Sequence, residues 1–423
     1  MKPKDKSLSV GFFLATRDIK RSNPWTTGLI IFVLILTFFN MTLLNGIFIG
    51  LIQGMMGSYK LYYSSDVFIT PAIEKNIIEE TDTIKAVVKS LPTFSTQSSR
   101  YTAPATLEYE YQTKVKNSDI SESAGGLLVG INPIAEESVT NLSKMIVAGT
   151  YLDPTDMESV IVGSSLIQKY TTAKSSTDSD GSKILKTADV GSRVRLTVNG
   201  TQKEVVIKGV VSTNNSTVDG RIYMTDVAMR GLLDRNSLNV NEIAVALLPG
   251  ASDAEAKKYI YSNLTNGQEI LVQTSEETIP SGSQQMINTF KLLGNMVAAI
   301  ALFVGAITIF IVIYVNAISR RKFIGILKGI GVTSRAIELS YVFQSLFYAF
   351  SGIIIASMLL LGFIVPYFVI NPIQYPVGTG SLAITTNDVL IRAIILTITA
   401  FISGFIPAWL VTKQNTLDAI LGR

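Results

Sequence analysis

"RRKFIGILKGIG", residues 320–331, is the stretch on which the reading of this chain turns. It packs four cations and three glycines into twelve residues, between two of the most apolar stretches of the sequence. Lys and Arg beside an apolar span mark the side of the membrane on which the loop stays. Glycine weakens a helix by roughly 1 kcal/mol relative to Ala, so Gly329 and Gly331 predict a helix, a glycine turn and a second helix. Thr333 or Ser334 is the expected N-cap of that second helix. Arg321, Lys328 and Arg335 recur every seventh residue, as do Phe323, Ile330 and Ile337, which predicts a basic face and an apolar one. Lipid headgroups account for the cations. They do not account for the glycine turn, or for apolar side chains in a polar loop, and these suit an element that docks on a partner.

The stretches on either side set the class. The chain has 423 residues, is 48% hydrophobic and has a mean hydropathy of +0.37, which predicts a few membrane spans plus a sizeable polar domain. A span needs about 20 apolar residues. Four are predicted, at 27–53, 286–319, 339–370 and 389–412, with Arg392 near one end of the fourth, where it could snorkel. The first apolar run, roughly 25 residues, exceeds the 7–15 of a signal peptide, so an uncleaved anchor is expected. Basic residues cluster at 1–26, at 320–338 and at 413–423, while 371–388 has no Lys or Arg. Both termini and the 320–338 loop are therefore expected in the cytoplasm. Residues 54–291 carry 22 Lys and Arg against 27 Asp and Glu, an acidic segment in an otherwise basic chain, and 54–285 is expected to form an extracytoplasmic domain.

That domain reads as mixed α and β. "ATLEYEYQTKVKN" (105–117) alternates as a strand does, with Leu107, Tyr109, Tyr111 and Val115 on one face. "RVRLTVNGTQKEVVIKGVV" (193–211) is a hairpin turning at Asn199-Gly200. "SDAEAKKYIYSNL" (252–264) is a helix with a capping box at Ser252 and Glu255. "SSTDSDGSK" (175–183) is a polar loop. The acidic pairs Glu79-Glu80, Glu136-Glu137 and Glu276-Glu277 read as solvated surface, since adjacent side chains diverge.

Much chemistry is excluded. Cys and His are absent, which removes disulfides, thiolate nucleophiles, Cys/His zinc sites and His-based triads. None of the 31 glycines precedes a Lys, so the Walker A motif cannot occur, and any ATP must be bound by another chain. No catalytic or metal-binding residue is expected, and no nucleic-acid partner. The first span carries Gly46, Gly50 and Gly54 at four-residue spacing, a candidate packing seam within the chain or with a second subunit, together with Asn40 and Asn45.

"SRRKFIGILKGIGVTSRAIELSYVFQS" (319–345) resembles the corresponding loop of FtsX/MacB/LolC-type ABC transporter permeases, of the mechanotransmission type. Arg320, Arg321, Ile324, Gly325, Ile326, Leu327, Lys328, Ile330 and Gly331 fall on that pattern; Phe323 stands where the family carries an acidic residue. "FFLATRDIKRSNPWTTGLI" (12–30) is similar to the family's amphipathic N-terminal helix, and "IPAWLVTKQNTLDAILGR" (406–423) to its C-terminal end, with Pro407, Ala408, Leu417, Ala419 and Leu421 matching. "SDVFITP" (65–71) and "AGTYLDPTDMESVIVGSSLIQKY" (148–170) resemble pieces of its outer domain. The resemblance implies four transmembrane helices with a large α+β extracytoplasmic domain, like the MacB periplasmic core, between helices 1 and 2. It implies a homodimer or heterodimer with a second permease, a cell-membrane location, and two copies of a cytoplasmic ATPase that bind ATP and Mg. It makes 320–338 the coupling loop, with Arg320, Arg321, Lys322, Phe323, Ile324, Gly325, Leu327, Lys328 and Gly331 at the ATPase, and Ile324 and Leu327 as the expected contact surface. The implied activity is export or extraction of a lipoprotein, peptide, lipid or antibiotic-like cargo, aided by an extracytoplasmic partner. The competing readings are a membrane-anchored receptor or regulator of a cell-wall enzyme, which has no use for a glycine-broken loop, and an intramembrane enzyme.

Overall fold

The structure is a computed structural model, and it describes all residues except 1–6, 73–74, 113–121, 172–183, 265–269, 372, 376–377, 381 and 414–423. The expected loop at 175–183, the strand extension through Val115 and the C-terminal match beyond residue 413 lie outside the described residues. The chain divides into two compact units, one of residues 1–52, 285–373 and 381–423, the other of 53–284 and 374–380.

In chain order, α1 (Ser7–Arg21) precedes α2 (Pro24–Tyr59), which ends in a π-helical turn at Lys60–Ser64. The inserted unit then supplies β1 (Val67–Pro71), α3 (Thr81–Lys89), β2 (Phe94–Tyr109), β3 (Glu122–Ile131), α4 (Pro133–Thr140), β4 (Ile146–Gly149), β5 (Ser159–Gly163), β6 (Arg193–Val198), β7 (Thr201–Val211), α5 (Ser216–Asp219), β8 (Arg221–Thr225), α6 (Asp226–Leu232), β9 (Glu242–Leu247), α7 (Asp253–Asn263) and β10 (Ile270–Thr274). After it come α8 (Ser281–Ser319), α9 (Arg321–Gly329), α10 (Ser334–Leu359), α11 (Val365–Ile370) and α12 (Thr386–Thr412). Among the described residues, four segments are long and apolar enough to cross a membrane, Pro24–Ser64, Ser281–Ser319, Ser334–Ile370 and Thr386–Thr412. The chain is thus a membrane protein with four such helices and a large α+β domain inserted between the first two. The helices outrun the expected spans, because polar residues such as Lys60 and Gln284 continue a helix that hydropathy alone ends sooner.

Small residues bring the membrane helices together. A Cβ on Gly352 would stand 3.0 Å from Leu34, one on Gly305 2.8 Å from Thr37, and one on Gly11 2.9 Å from the Ala336 carbonyl. Gly404 of α12 lies against Ser345 of α10. The core between these helices holds Ile30, Leu34, Ile309, Ile313, Tyr341, Ala400 and Ala408.

The inserted unit is one mixed ten-stranded sheet in the order β10-β1-β9-β2-β3-β8-β5-β7-β4, with β6 paired to β2 and β7. Its core is aliphatic and includes Ile69, Leu107, Leu128, Val162, Leu196, Ile207 and Val245, all fully buried. The expected hairpin is present: β6 and β7 pair from Arg193↔Val206 to Val198↔Thr201, and Asn199 and Gly200 take φ of 48° and 85°. Ser252 Oγ caps α7 by accepting from the Glu255 amide at 3.3 Å. The strand containing Leu107 ends at Tyr109, because Glu110 turns to φ 55°.

The acidic pairs do not all lie at the surface. Glu136 is 1% exposed and takes a bidentate pair of bonds from Arg100, at 3.0 Å from Nε and 2.7 Å from NH2. Ser98 Oγ donates to it at 2.7 Å and Thr140 Oγ1 at 2.9 Å. Glu242, opposite Arg100 in the β2–β9 register, binds Arg221 through two bonds of 3.0 and 2.9 Å. The Tyr63 ring lies 4.7 Å from the Arg221 guanidinium and 5.9 Å from that of Arg100. Adjacent side chains do diverge: α4 turns Glu136 inward while Glu137 faces the backbone of Ser143. Burial would push both carboxyl groups up, but Arg100 beside Glu136 and Arg221 beside Glu242 outweigh it and hold them below the usual carboxylate range. Both guanidiniums, whose charge burial disfavours, are held above their ordinary value by the same partners.

Candidate functional site

The site is α9 and the turn that ends it. Arg320 stands at the N-cap, outside helical geometry. Its guanidinium pairs with Asp18 of α1 at 2.5 Å, and Gln344 of α10 donates to the same carboxylate at 3.3 Å. At the other end the Ile330 amide bonds the Ile326 carbonyl, the Gly331 amide that of Lys328 at 3.1 Å, and the Val332 amide that of Leu327 at 3.0 Å. The last two bonds form a Schellman closure with Gly331 in the left-handed position, at φ 96°. Thr333 Oγ1 then caps α10 by accepting from the Ala336 amide. Helix, glycine turn and helix occur as the spacing predicts; Gly329 is the last residue of α9 and Gly331 is the stop.

The faces differ from expectation. Ile324 is 4% exposed and packs with Ile30, Leu34 and Ile337 in the membrane core. Gly325 is buried beside it, and Leu327 and Val332 pack partly against the same core. Ile324 is therefore not an exposed contact surface, and Leu327 is half-buried. The exposed apolar side chains are Phe323, Ile326 and Ile330, 52%, 53% and 73% exposed. Their i, i+3, i+7 spacing puts them on one stripe. Ile337 is not part of that stripe, because the turn at Gly331 redirects the chain and buries it. Lys328 is not part of a basic docking face either. Its Nζ donates to the Thr412 carbonyl at the end of α12, at 2.7 Å, where a cation complements the helix C-terminus. Thr412 Oγ1 in turn donates to Glu338 at 2.7 Å. Lys322 is exposed and Arg321 half-buried. Asp18, Gln344 and Thr412 escaped sequence reasoning because they lie far along the chain from α9 and belong to no local pattern.

Gly46 of the glycine seam serves inside the chain. A Cβ there would strike Ile384, and its carbonyl accepts from the Ala383 amide at 3.2 Å. Gly50 is buried and Gly54 half-buried. Arg392 is half-buried and donates to the Met41 carbonyl of α2.

No curated protein matches this chain. Among the solved structures similar to this chain are two outer domains of transporters. The periplasmic region of MacB from Actinobacillus actinomycetemcomitans is 12% identical over 53% of this chain and 94% of that one, with a TM-score of 0.33. The extracellular domain of the noncanonic ABC-type transporter YknZ from Gram-positive bacteria is 15% identical over 49% and 98%, with a TM-score of 0.31. A likeness at such scores says nothing about function. Residues 295–416 match the family model described as FtsX-like permease C-terminal. They hold the C-terminal part of α8 and the whole of α9, α10 and α12, so the glycine-stopped loop lies within the region that is similar to the FtsX-like permease C-terminal family.

Proposed function

We propose that the chain couples ATP hydrolysis by a separate cytoplasmic ATPase to work done by its inserted domain outside the membrane, and that Phe323, Ile326 and Ile330 are where the ATPase docks. The observation that carries this is the exposed stripe itself. A nine-residue helix that buries Ile324 has no folding reason to present Phe323 and Ile326 on its other face and Ile330 at its C-cap. Burying each in a partner's groove supplies roughly 1.5–3 kcal/mol. Phe323, standing where the family carries an acidic residue, makes this contact apolar rather than ionic. The Asp18–Arg320 pair and the Lys328–Thr412 bond tie the docked helix to α1 and α12, so a push on α9 is carried into the helices around it. ATP and Mg belong to the partner, as two copies serving a dimer of permeases. The cargo class is lipoprotein, peptide, lipid or antibiotic-like compound, and the cytoplasmic side is that of the basic loop and both termini.

The test is co-purification of the permease with the ATPase encoded beside it. Phe323→Asp with Ile330→Asp should abolish capture and stimulated ATP hydrolysis while the permease still reaches the membrane. Unchanged capture by that double variant refutes the docking surface.

A further inference from the structure

A second site lies between three membrane helices. A cavity of about 270 Å³ is lined by Met41 and Asn45 of α2, Asn295 and Ala299 of α8, and Asp388 and Arg392 of α12. Ala298, Leu302, Ile391 and Ile395 complete its largely apolar wall. Among the described residues, Arg392 makes one hydrogen bond, to the Met41 carbonyl, and no ion pair within 4 Å. Guanidinium has five N–H donors, so most of its capacity is left for something inside an apolar wall. An ionisable group in that setting is costly unless it meets a partner. Asp388, one turn earlier, gives one carboxylate oxygen to the Thr385 amide and hydroxyl, at 3.1 and 2.6 Å.

The depth of the cavity says what that partner is. The Asp18–Arg320 and Lys328–Thr412 contacts gather the near ends of α2, α8 and α12 on one side. At about 1.5 Å per residue, Asn45 lies roughly 32 Å from Pro24, Asn295 about 36 Å from Ser319 and Arg392 about 30 Å from Thr412. Three helices thus bring the polar groups to about one hydrocarbon thickness from the other face, the level of the opposite leaflet's phosphates. We infer that the cavity seats one zwitterionic phospholipid. Its phosphate meets Arg392, its ammonium meets Asp388, and its first methylenes lie along Ile391, Ile395 and Met41. Guanidinium matches phosphate through paired N–H donors, and the nearby carboxylate disfavours a purely anionic ligand.

The test is native mass spectrometry of the full chain, released from mild detergent in the presence of phosphatidylethanolamine, phosphatidylglycerol or inorganic phosphate. One phosphatidylethanolamine per chain should persist and should not be displaced by inorganic phosphate. Arg392→Gln should lower its retention about tenfold, the loss of one charge-assisted contact. Ala299→Phe, which fills the cavity, should do the same with the guanidinium intact, and a melting temperature on each variant reports that the fold persists. Equal retention by both folded variants overturns the site. Preference for phosphatidylglycerol overturns the zwitterionic assignment, and displacement by millimolar phosphate overturns the lipid. These lipid comparisons on the native chain stand even if a variant fails to fold.

Discussion

Helix α9 and the core of the inserted sheet break the same rule in opposite directions. In α9, large apolar side chains face outward: Phe323, Ile326 and Ile330. In the sheet, charges face inward: Arg100, Glu136, Arg221 and Glu242 are at most 8% exposed. The sheet has closed its exception, since every charge there has an opposite partner within its own fold. The loop has left its exception open. A settled interior violation speaks of a fixed joint, and an unsettled surface one of a partner still to come.

Removing one side of the buried pairs is the strongest way to break the comparison. Glu136→Ala should cost the inserted domain about 3–5 kcal/mol by stranding Arg100, measured as a drop in urea midpoint. Replacing Glu136 and Arg100 together with apolar residues should cost much less than the sum of the two single changes. Acid tests the same joint. Both carboxyl groups titrate lower when folded, so their contribution is fully present above the unfolded value. It is lost as pH falls through the folded value. Stability should therefore decline below about pH 4.5, and the decline should shrink when Glu136 and Arg100 are both replaced. A pH-independent midpoint between about pH 5 and about pH 3 contradicts the pairing.

The loop responds through binding rather than stability. Ile330→Asp should weaken ATPase capture at least tenfold, or about 1.4 kcal/mol, with little change in the permease's own melting. Ile324→Asp should do the reverse, destabilising the membrane unit by burying a charge. Smaller still is Gly331→Ala, which places a Cβ at φ 96° and should cost about 1 kcal/mol while leaving the exposed stripe in place.

Much of α9 was legible because its signals are local. Gly331 stops the helix, Thr333 starts the next, and both are visible within a dozen residues. The Asn199-Gly200 hairpin and the Ser252 cap share that property. Which face of α9 turns inward was not legible. Ile324 and Phe323 are neighbours of similar hydrophobicity, and the choice is made by Ile30, Leu34 and Ile337 packing from other helices. The buried ion cluster was hidden for the same reason: Glu136 meets Arg100 across 36 residues and Arg100 meets Glu242 across 142. A Glu-Glu pair in a sequence gives no sign that one member is sealed in a sheet.

The most direct measurement uses the chain's lack of cysteine. A single Ile330→Cys permease should react with a water-soluble thiol reagent when alone and become protected when the ATPase is added. Ile324→Cys should be slow in both conditions. Equal labelling of the residue-330 thiol with and without the ATPase would contradict the docking of α9 on its motor.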